Sequence, residues 1–241
     1  MSTLILDIET IGQEWDSLPE TSKESLTKWI DKSGDEKEEK DRKRDDVKER
    51  LSLSPFTGLI VSVAMYDVER DLGAVYFTSD LPDESFKSNS FTFKQRTEKE
   101  ILEDFWEGAI GYDTFVTFNG RAFALPFLMH RSVINEIKPS VEIAHQRYLT
   151  KQSAPFHVDV LDEMTFYGAV QKRPSLQLLC NSYGTVYHQE LGGSYISELF
   201  KMKKFRHIAE HNAMDVLAIK DLYLKWKEYM APLAFINKLE M

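Results

Sequence analysis

Residues 4–9 read LILDIE. Side chains alternate along a strand, so Asp7 and Glu9 share one face while Leu4, Leu6 and Ile8 share the other. Two carboxylates side by side on an apolar strand repel each other and are costly to bury. A bound cation removes that conflict, and hard ions such as Mg2+ and Mn2+ favour such oxygen donors. Taken alone, the D-x-E pair reads more simply as a solvated strand end.

A second acid changes the balance. In the long helical stretch from Phe205 to about Tyr229, His211, Asp215, Ile219, Leu222 and Trp226 recur at steps of 4, 4, 3 and 4 and form one stripe. Its lower part is apolar and faces a core, which leaves Asp215 at the top of a core-facing stripe, where an unpaired carboxylate is unfavourable. His211 sits one turn earlier on the same face. A core-edge aspartate bonded to a backbone amide, with His211 as a satisfied neighbour, is as good a reading of this helix by itself. A third stretch, FNGRAFALPFL at 118–128, follows the strand-like TFVTF. Asn119-Gly120 is a turn signal, and Phe123 with Pro126, Phe127 and Leu128 opens a helix.

Other elements follow from patterning. LIVSVAMY at 59–66 and GAVYFT at 73–78 read as strands with a turn between them, and His157–Val160 as a short strand. Residues 18–33 suit a helix entered at Pro19, with Leu26, Trp29 and Ile30 on one face. In residues 35–50 only Val47 is uncharged, and Glu36/Lys40, Glu38/Arg42 and Glu39/Lys43 are spaced for helical ion pairs. This segment reads as a solvated helix or loop. Residues 97–109 form an amphipathic helix with Thr97 and Glu100 as a capping box. Helices are also expected over 123–132, starting near Pro126, over 175–183, stopped by Gly184, and over 194–202. The order predicts an α/β layered domain over residues 1–241, with a mixed five-stranded sheet flanked by helices and a charged helical insert at about 19–50.

The 241 residues are 42% hydrophobic, which supports a real core, and no apolar run approaches a membrane span. MSTLILDIET has no basic region before its apolar stretch and reads as a first strand rather than a signal peptide. Cys180 is the only cysteine, which excludes an intramolecular disulfide and points to a reducing, cytoplasmic setting. A net charge of -9 argues against coating nucleic acid by bulk electrostatics, but not against a metal-binding carboxylate site with one basic edge.

In their order, the stretches resemble the DEDD superfamily of 3′–5′ exonucleases, which has an RNase H-like fold. The likeness is greatest to the proofreading domain of family B DNA polymerases and its stand-alone bacterial relatives. LDIET at 6–10 resembles the first motif, FNGRAFALPFL the second (N-G-x-x-F-D-x-P-x-L), and HNAMDVLAIKDLY at 211–223 the third (Y-x-x-x-D). LSLSPFTGLIVSVAMYD at 51–67 resembles the second-strand region. Two positions depart. Ala124 stands where the second-motif aspartate belongs, and His211 where the third-motif tyrosine belongs. A sister class uses histidine five residues before the aspartate, which here is Glu210.

The resemblance implies two-metal hydrolysis of a terminal phosphodiester with Mg2+ or Mn2+. Asp7 would bridge both ions, Glu9 and Asp215 would hold the one nearer the nucleophile, and the missing aspartate at Ala124 would help hold the second. His211 would orient or deprotonate the water. Thr10, Ile11, Asn119 and Phe123 lie where family members grip the terminal nucleotide. Lys172, Arg173, Lys201, Lys203, Lys204 and Arg206 are candidates for phosphates, and Tyr167, Tyr183 and Phe205 for stacking on bases; surface and core roles serve each as well. The implied partner is nucleic acid, a 3′ end of single-stranded DNA, with RNA open, and no membrane. Beside the exonuclease function that the resemblance implies, Ala124 leaves two accounts: a nucleic-acid-binding pseudonuclease naturally lacking full metal ligation, and a deliberate replacement of the metal-binding aspartate that traps substrate. The intact Asn119, Gly120 and Pro126 around it favour the last.

Overall fold

The computed structural model describes residues 2–144, 146–170, 172–187 and 193–239. Its centre is β1 (Thr3–Gly12), which pairs antiparallel with β2 (Gly58–Asp67) and parallel with β6 (Thr114–Thr117). β3 (Leu72–Phe77) continues antiparallel from β2, and β7 (Phe156–Asp159) runs parallel beside β6. These are the five expected strands, in the order β3-β2-β1-β6-β7. The sheet has seven. A hairpin of β4 (Phe86–Ser88) and β5 (Phe91–Gln95) extends it beyond β3. Phe91 and Phe93 alternate into the core, and Phe86 stacks on Phe93 at 4.1 Å.

Helices cover both faces. On one lie α3 (Glu98–Ala109) and α4 (Ala124–Ile134), whose apolar residues pack with Leu4, Leu6 and Ile8. The other is covered chiefly by α8 (Phe205–Tyr229), with α5 (Val160–Met164), α6 (Leu176–Tyr183) and α9 (Leu233–Leu239); Ile5 belongs to that core. α7 (Gly193–Lys201) lies over the end of β1, where Ile196 and Leu199 meet Ile11. The capping box at Thr97 and Glu100 is formed, and α6 ends on Gly184 in the left-handed region at φ 66°. The two-sided burial of Leu4 to Ile8 is what strand alternation predicts. Glu98 joins the layers of the first face. It accepts both hydrogen bonds of the Arg131 fork at 2.8 and 2.6 Å, and another from the Ile60 amide at 2.8 Å.

Several expectations need correction. α4 starts at Ala124, two residues before Pro126, because proline is tolerated in a first turn whose amides have no intrahelical partner. α1 (Glu20–Asp31) buries Thr27 and Ile30, while Trp29 is 54% exposed with Lys43 over its ring. α2 (Lys37–Glu49) buries none of its residues. Of its expected pairs only Glu39/Lys43 appears, at 4.0 Å. The cations instead reach three residues back or outside the helix: Arg42 to Glu39 at 2.8 Å, Lys43 to Asp35 at 2.6 Å and Arg44 to Asp31 at 2.5 Å. Exposed pairs of this kind add little stability each. α5, α9 and the β4–β5 hairpin were not anticipated. Among the described residues no helix is long and apolar enough to cross a membrane.

Candidate active site

Asp7 and Glu9 lie opposite Ala64 and Ser62 of β2 and share the face of Ile5, towards α8. From α8, His211 and Asp215 reach the same point. The His211 Nε2 lies 3.7 Å from a Glu9 oxygen and 3.4 Å from an Asp215 oxygen. One donor atom from each of Glu9, His211 and Asp215 falls within a 4.8 Å group, close enough for a single divalent ion. Asp7 lies outside that group but on the same face of β1 as Glu9, and its carboxyl feels the charge of Asp215.

Electrostatics show the strain of this crowding. Burial, then the charge of Asp215, pushes the Asp7 carboxyl well above its ordinary range. Burial, then Asp7 and Asp215, does the same to Glu9. Burial lowers His211 to about 4, so its ring is neutral at pH 7 and has a lone pair to offer. A cation would relieve both carboxylate conflicts at once and could take the lone pair of His211, so the donor set fits a hard divalent ion.

Two further contacts hold α8 in place. Asn212, fully buried, donates to the Ser62 hydroxyl at 2.9 Å, and Ser62 is the strand partner of Glu9. Tyr187 donates to Asp215 Oδ1 at 3.0 Å. Neither residue falls in a periodic pattern. The only available clue was that Asn212 is a polar residue adjoining the stripe.

The second-motif stretch forms the turn after β6. Asn119 is left-handed at φ 57°. A β-carbon on Gly120 would lie 2.1 Å from the Thr117 Oγ1, so only glycine fits. Asp159, at the end of β7, fastens the turn by accepting the amides of Asn119 at 3.0 Å and Arg121 at 2.9 Å. It too was not anticipated. The buried Asn119 Oδ1 has no hydrogen-bond partner among the described residues and is an unmet acceptor. Phe123 precedes α4 with its ring 5.0 Å from Phe127. Ala124 is 1% exposed among apolar neighbours and offers no ligand atom.

The remaining candidates divide. The Thr10 hydroxyl is engaged by the Ser52 carbonyl at 2.7 Å. Ile11 is buried against α7 and reaches a cleft of about 560 Å3 that it shares with Trp15, Lys48 and Lys201. Lys203 pairs with Asp80 at 2.7 Å and Arg206 with Glu84 at 3.4 Å, which commits them to neighbouring acids. Phe205 is 3% exposed and belongs to the core, where a base cannot reach it. Tyr167 donates to Glu163, while Tyr183, Lys172 and Arg173 are exposed.

Among solved structures, the chain is similar to the family B DNA polymerase of the hyperthermophilic archaeon Pyrobaculum calidifontis, with a TM-score of 0.56 at 14% identity. The match covers 94% of this chain and 24% of the polymerase, so the chain spans about a quarter of that protein's length. The likeness supports the RNase H-like fold. No curated protein matches the sequence. Residues 72–236 match the family described as a predicted 3′–5′ exonuclease related to the exonuclease domain of PolB, and this match, over the greater part of the chain, shows that the chain belongs to that family.

Proposed function

We propose that the chain is built as a metal-dependent 3′–5′ exonuclease for single-stranded DNA ends, and that Ala124 impairs it. The observation that carries this reading is the gathering of Glu9, His211 and Asp215 donor atoms within 4.8 Å, with Asp7 alongside. Asp7, Glu9 and Asp215 would hold Mg2+ or Mn2+. When bound, the ions lower the pKa of a water and stabilise charge on the leaving 3′ oxygen. The neutral His211 ring, 3.4 Å from Asp215, would accept the proton of that water or orient it. Asn119, through its free Oδ1, and the ring of Phe123 orient the terminal nucleotide. The missing carboxylate at 124 deprives the second ion of a protein anchor. The same residue also supports the reading of a nucleic-acid-binding protein without catalysis.

The test is degradation of DNA and RNA strands, labelled at either end, with and without Mn2+, by this chain and its Ala124→Asp form. A ladder shortening from a 5′ label in the aspartate form, together with an intact circular single strand, is the expected result. Cleavage of the circle would mean an endonuclease. Binding without cleavage by both forms would hand the site to the non-catalytic reading.

Proton linkage gives a second check. Asp7 and Glu9 have raised folded-state pKa values, so the folded chain holds more protons than the unfolded one above the ordinary carboxylate range. In chelator, their contribution to stability therefore falls as pH rises from about 4 towards those raised values. His211 works the other way: it is lowered to about 4, so its contribution is lost as pH falls from about 6.5 to 4. Asp7→Asn should raise the melting temperature in chelator at pH 8 and abolish the stabilisation that Mn2+ gives the parent chain. An unchanged melting temperature at pH 8 would show that Asp7 carries no such conflict.

A further inference from the structure

A second cationic feature lies along the sheet from the carboxylates. β6 and β7 run parallel to β1, so the turn after β6 and the helix after β7 open at the sheet edge towards which β1 runs past Glu9. There a cleft of about 410 Å3 is lined by Arg121, Arg147, Arg173, Asp162, Thr165 and Gly168. Three guanidinium groups face one lining carboxylate. Arg147 grips Asp162 with two bonds of 3.0 Å, and Arg121 approaches the same group at 3.9 Å. Of the nearby acids, Asp159 is occupied by backbone amides and Glu163 by the Tyr167 hydroxyl. Arg173 is exposed and makes no ion pair among the described residues. Three acids thus stand near three cations, and the donors left over are the exposed Arg173 and the buried Nε of Arg121, which makes no hydrogen bond among the described residues.

The rim of the cleft carries an independent oddity. Phe166 and Tyr167 are both left-handed, at φ 50° and 57°, a costly conformation for bulky residues. The Tyr167 amide donates to the Asp162 carbonyl at 2.7 Å and holds the turn. The result is a Phe166 ring that is 65% exposed between Thr165 and Gly168. The Phe166 ring itself lines a second hollow, with Tyr148, Glu163 and Trp226, so one turn joins an arginine-lined cleft to an exposed aromatic ring, the two components of a single-strand groove.

We propose that this cleft is a second subsite for the substrate strand. Arg173 and Arg121 take a backbone phosphate upstream of the cleaved end, Arg147 staying on Asp162, and Phe166 stacks on a base of the same strand. The inference rests on the exonuclease reading and extends it. β7 lies two strands from β1, about 10 Å at ordinary strand spacing, so the subsite is reached only by strands longer than the terminal unit.

The test measures binding in Ca2+ by fluorescence anisotropy, using a labelled dinucleotide and a labelled single strand of about ten nucleotides. Arg173→Glu and Phe166→Ala should each weaken the longer strand about tenfold and leave the dinucleotide and the melting temperature unchanged. Arg173→Glu should also reduce the salt dependence of longer-strand binding by about one unit of slope. Equal affinity for the longer strand in parent and variants overturns the subsite alone, as does an equal loss on both probes. A parent chain that binds neither probe overturns the exonuclease reading, and the subsite with it.

Discussion

Ala124→Asp should raise the rate of 3′-end cleavage by about two to three orders of magnitude, the scale on which one well-placed group stabilising transition-state charge acts. Affinity for the strand should change little, because Asn119, Phe123 and the backbone of the turn are present in both forms. The structure adds a cost. Position 124 is 1% exposed, in an apolar cluster with Leu4, Leu6 and Ile8 on the face of β1 opposite Asp7 and Glu9. A fourth carboxylate should therefore lower the melting temperature in chelator, and Mn2+ should restore it by more than it stabilises the parent chain. Ala124→Asn matches the aspartate in size without its charge; it should give neither the rate nor the metal-dependent recovery. Adding His211→Ala to the aspartate form should lower turnover more than affinity if the ring handles the proton. Turnover assays in Mn2+ and thermal melts with and without metal test these outcomes. If the aspartate form melts as expected yet cleaves no faster, position 124 is not where the activity was lost.

The largest effect on stability should come from Glu98→Gln, far from any metal ligand. Glu98 receives the two-pronged bond of Arg131, whose side chain is 7% exposed, and also takes the Ile60 amide. Removing its charge leaves a buried guanidinium without a counter-ion, which costs about 3–5 kcal/mol. For a chain of this size that is a fall in melting temperature on the order of 10 °C. Glu98→Gln with Arg131→Met should recover most of the loss, because no unpaired charge is then buried. Thermal or urea unfolding of the single and double variants checks this. Equal destabilisation in both would assign the loss to the Ile60 amide contact.

How much of this was legible in the sequence depended on whether a residue's role leaves a local trace. Asp7 and Glu9 were found because a two-residue repeat on an apolar strand fixes their face. Asp215 was found because a helical stripe fixes its face. Asn119 and Gly120 announce a turn by conformational preference alone. In contrast, Asp159, Tyr187 and Asn212 are polar residues whose hydrogen bonds run across the fold, and nothing in their flanking sequence distinguishes them from surface residues. The β4–β5 hairpin was missed because Lys87, Ser88, Asn89 and Ser90 interrupt the Phe86, Phe91 and Phe93 pattern. Those residues sit at the sheet's outer edge and its turn, where polar side chains reach water. The ion pairs of α2 went astray for a related reason: spacing offers several partners to each cation, and α1 supplies another choice.

The strand that bears Asp7 and Glu9 completes its pairing with β6, more than a hundred residues later, and meets its helical partners only at His211 and Asp215. During synthesis on the ribosome, no earlier length of chain carries the ligand set. Such distant contacts close late and slowly. A nascent chain therefore cannot gather this donor set around a divalent ion until α8 has emerged and docked. Timing of assembly acts as a safeguard that no separate inhibitory segment has to provide.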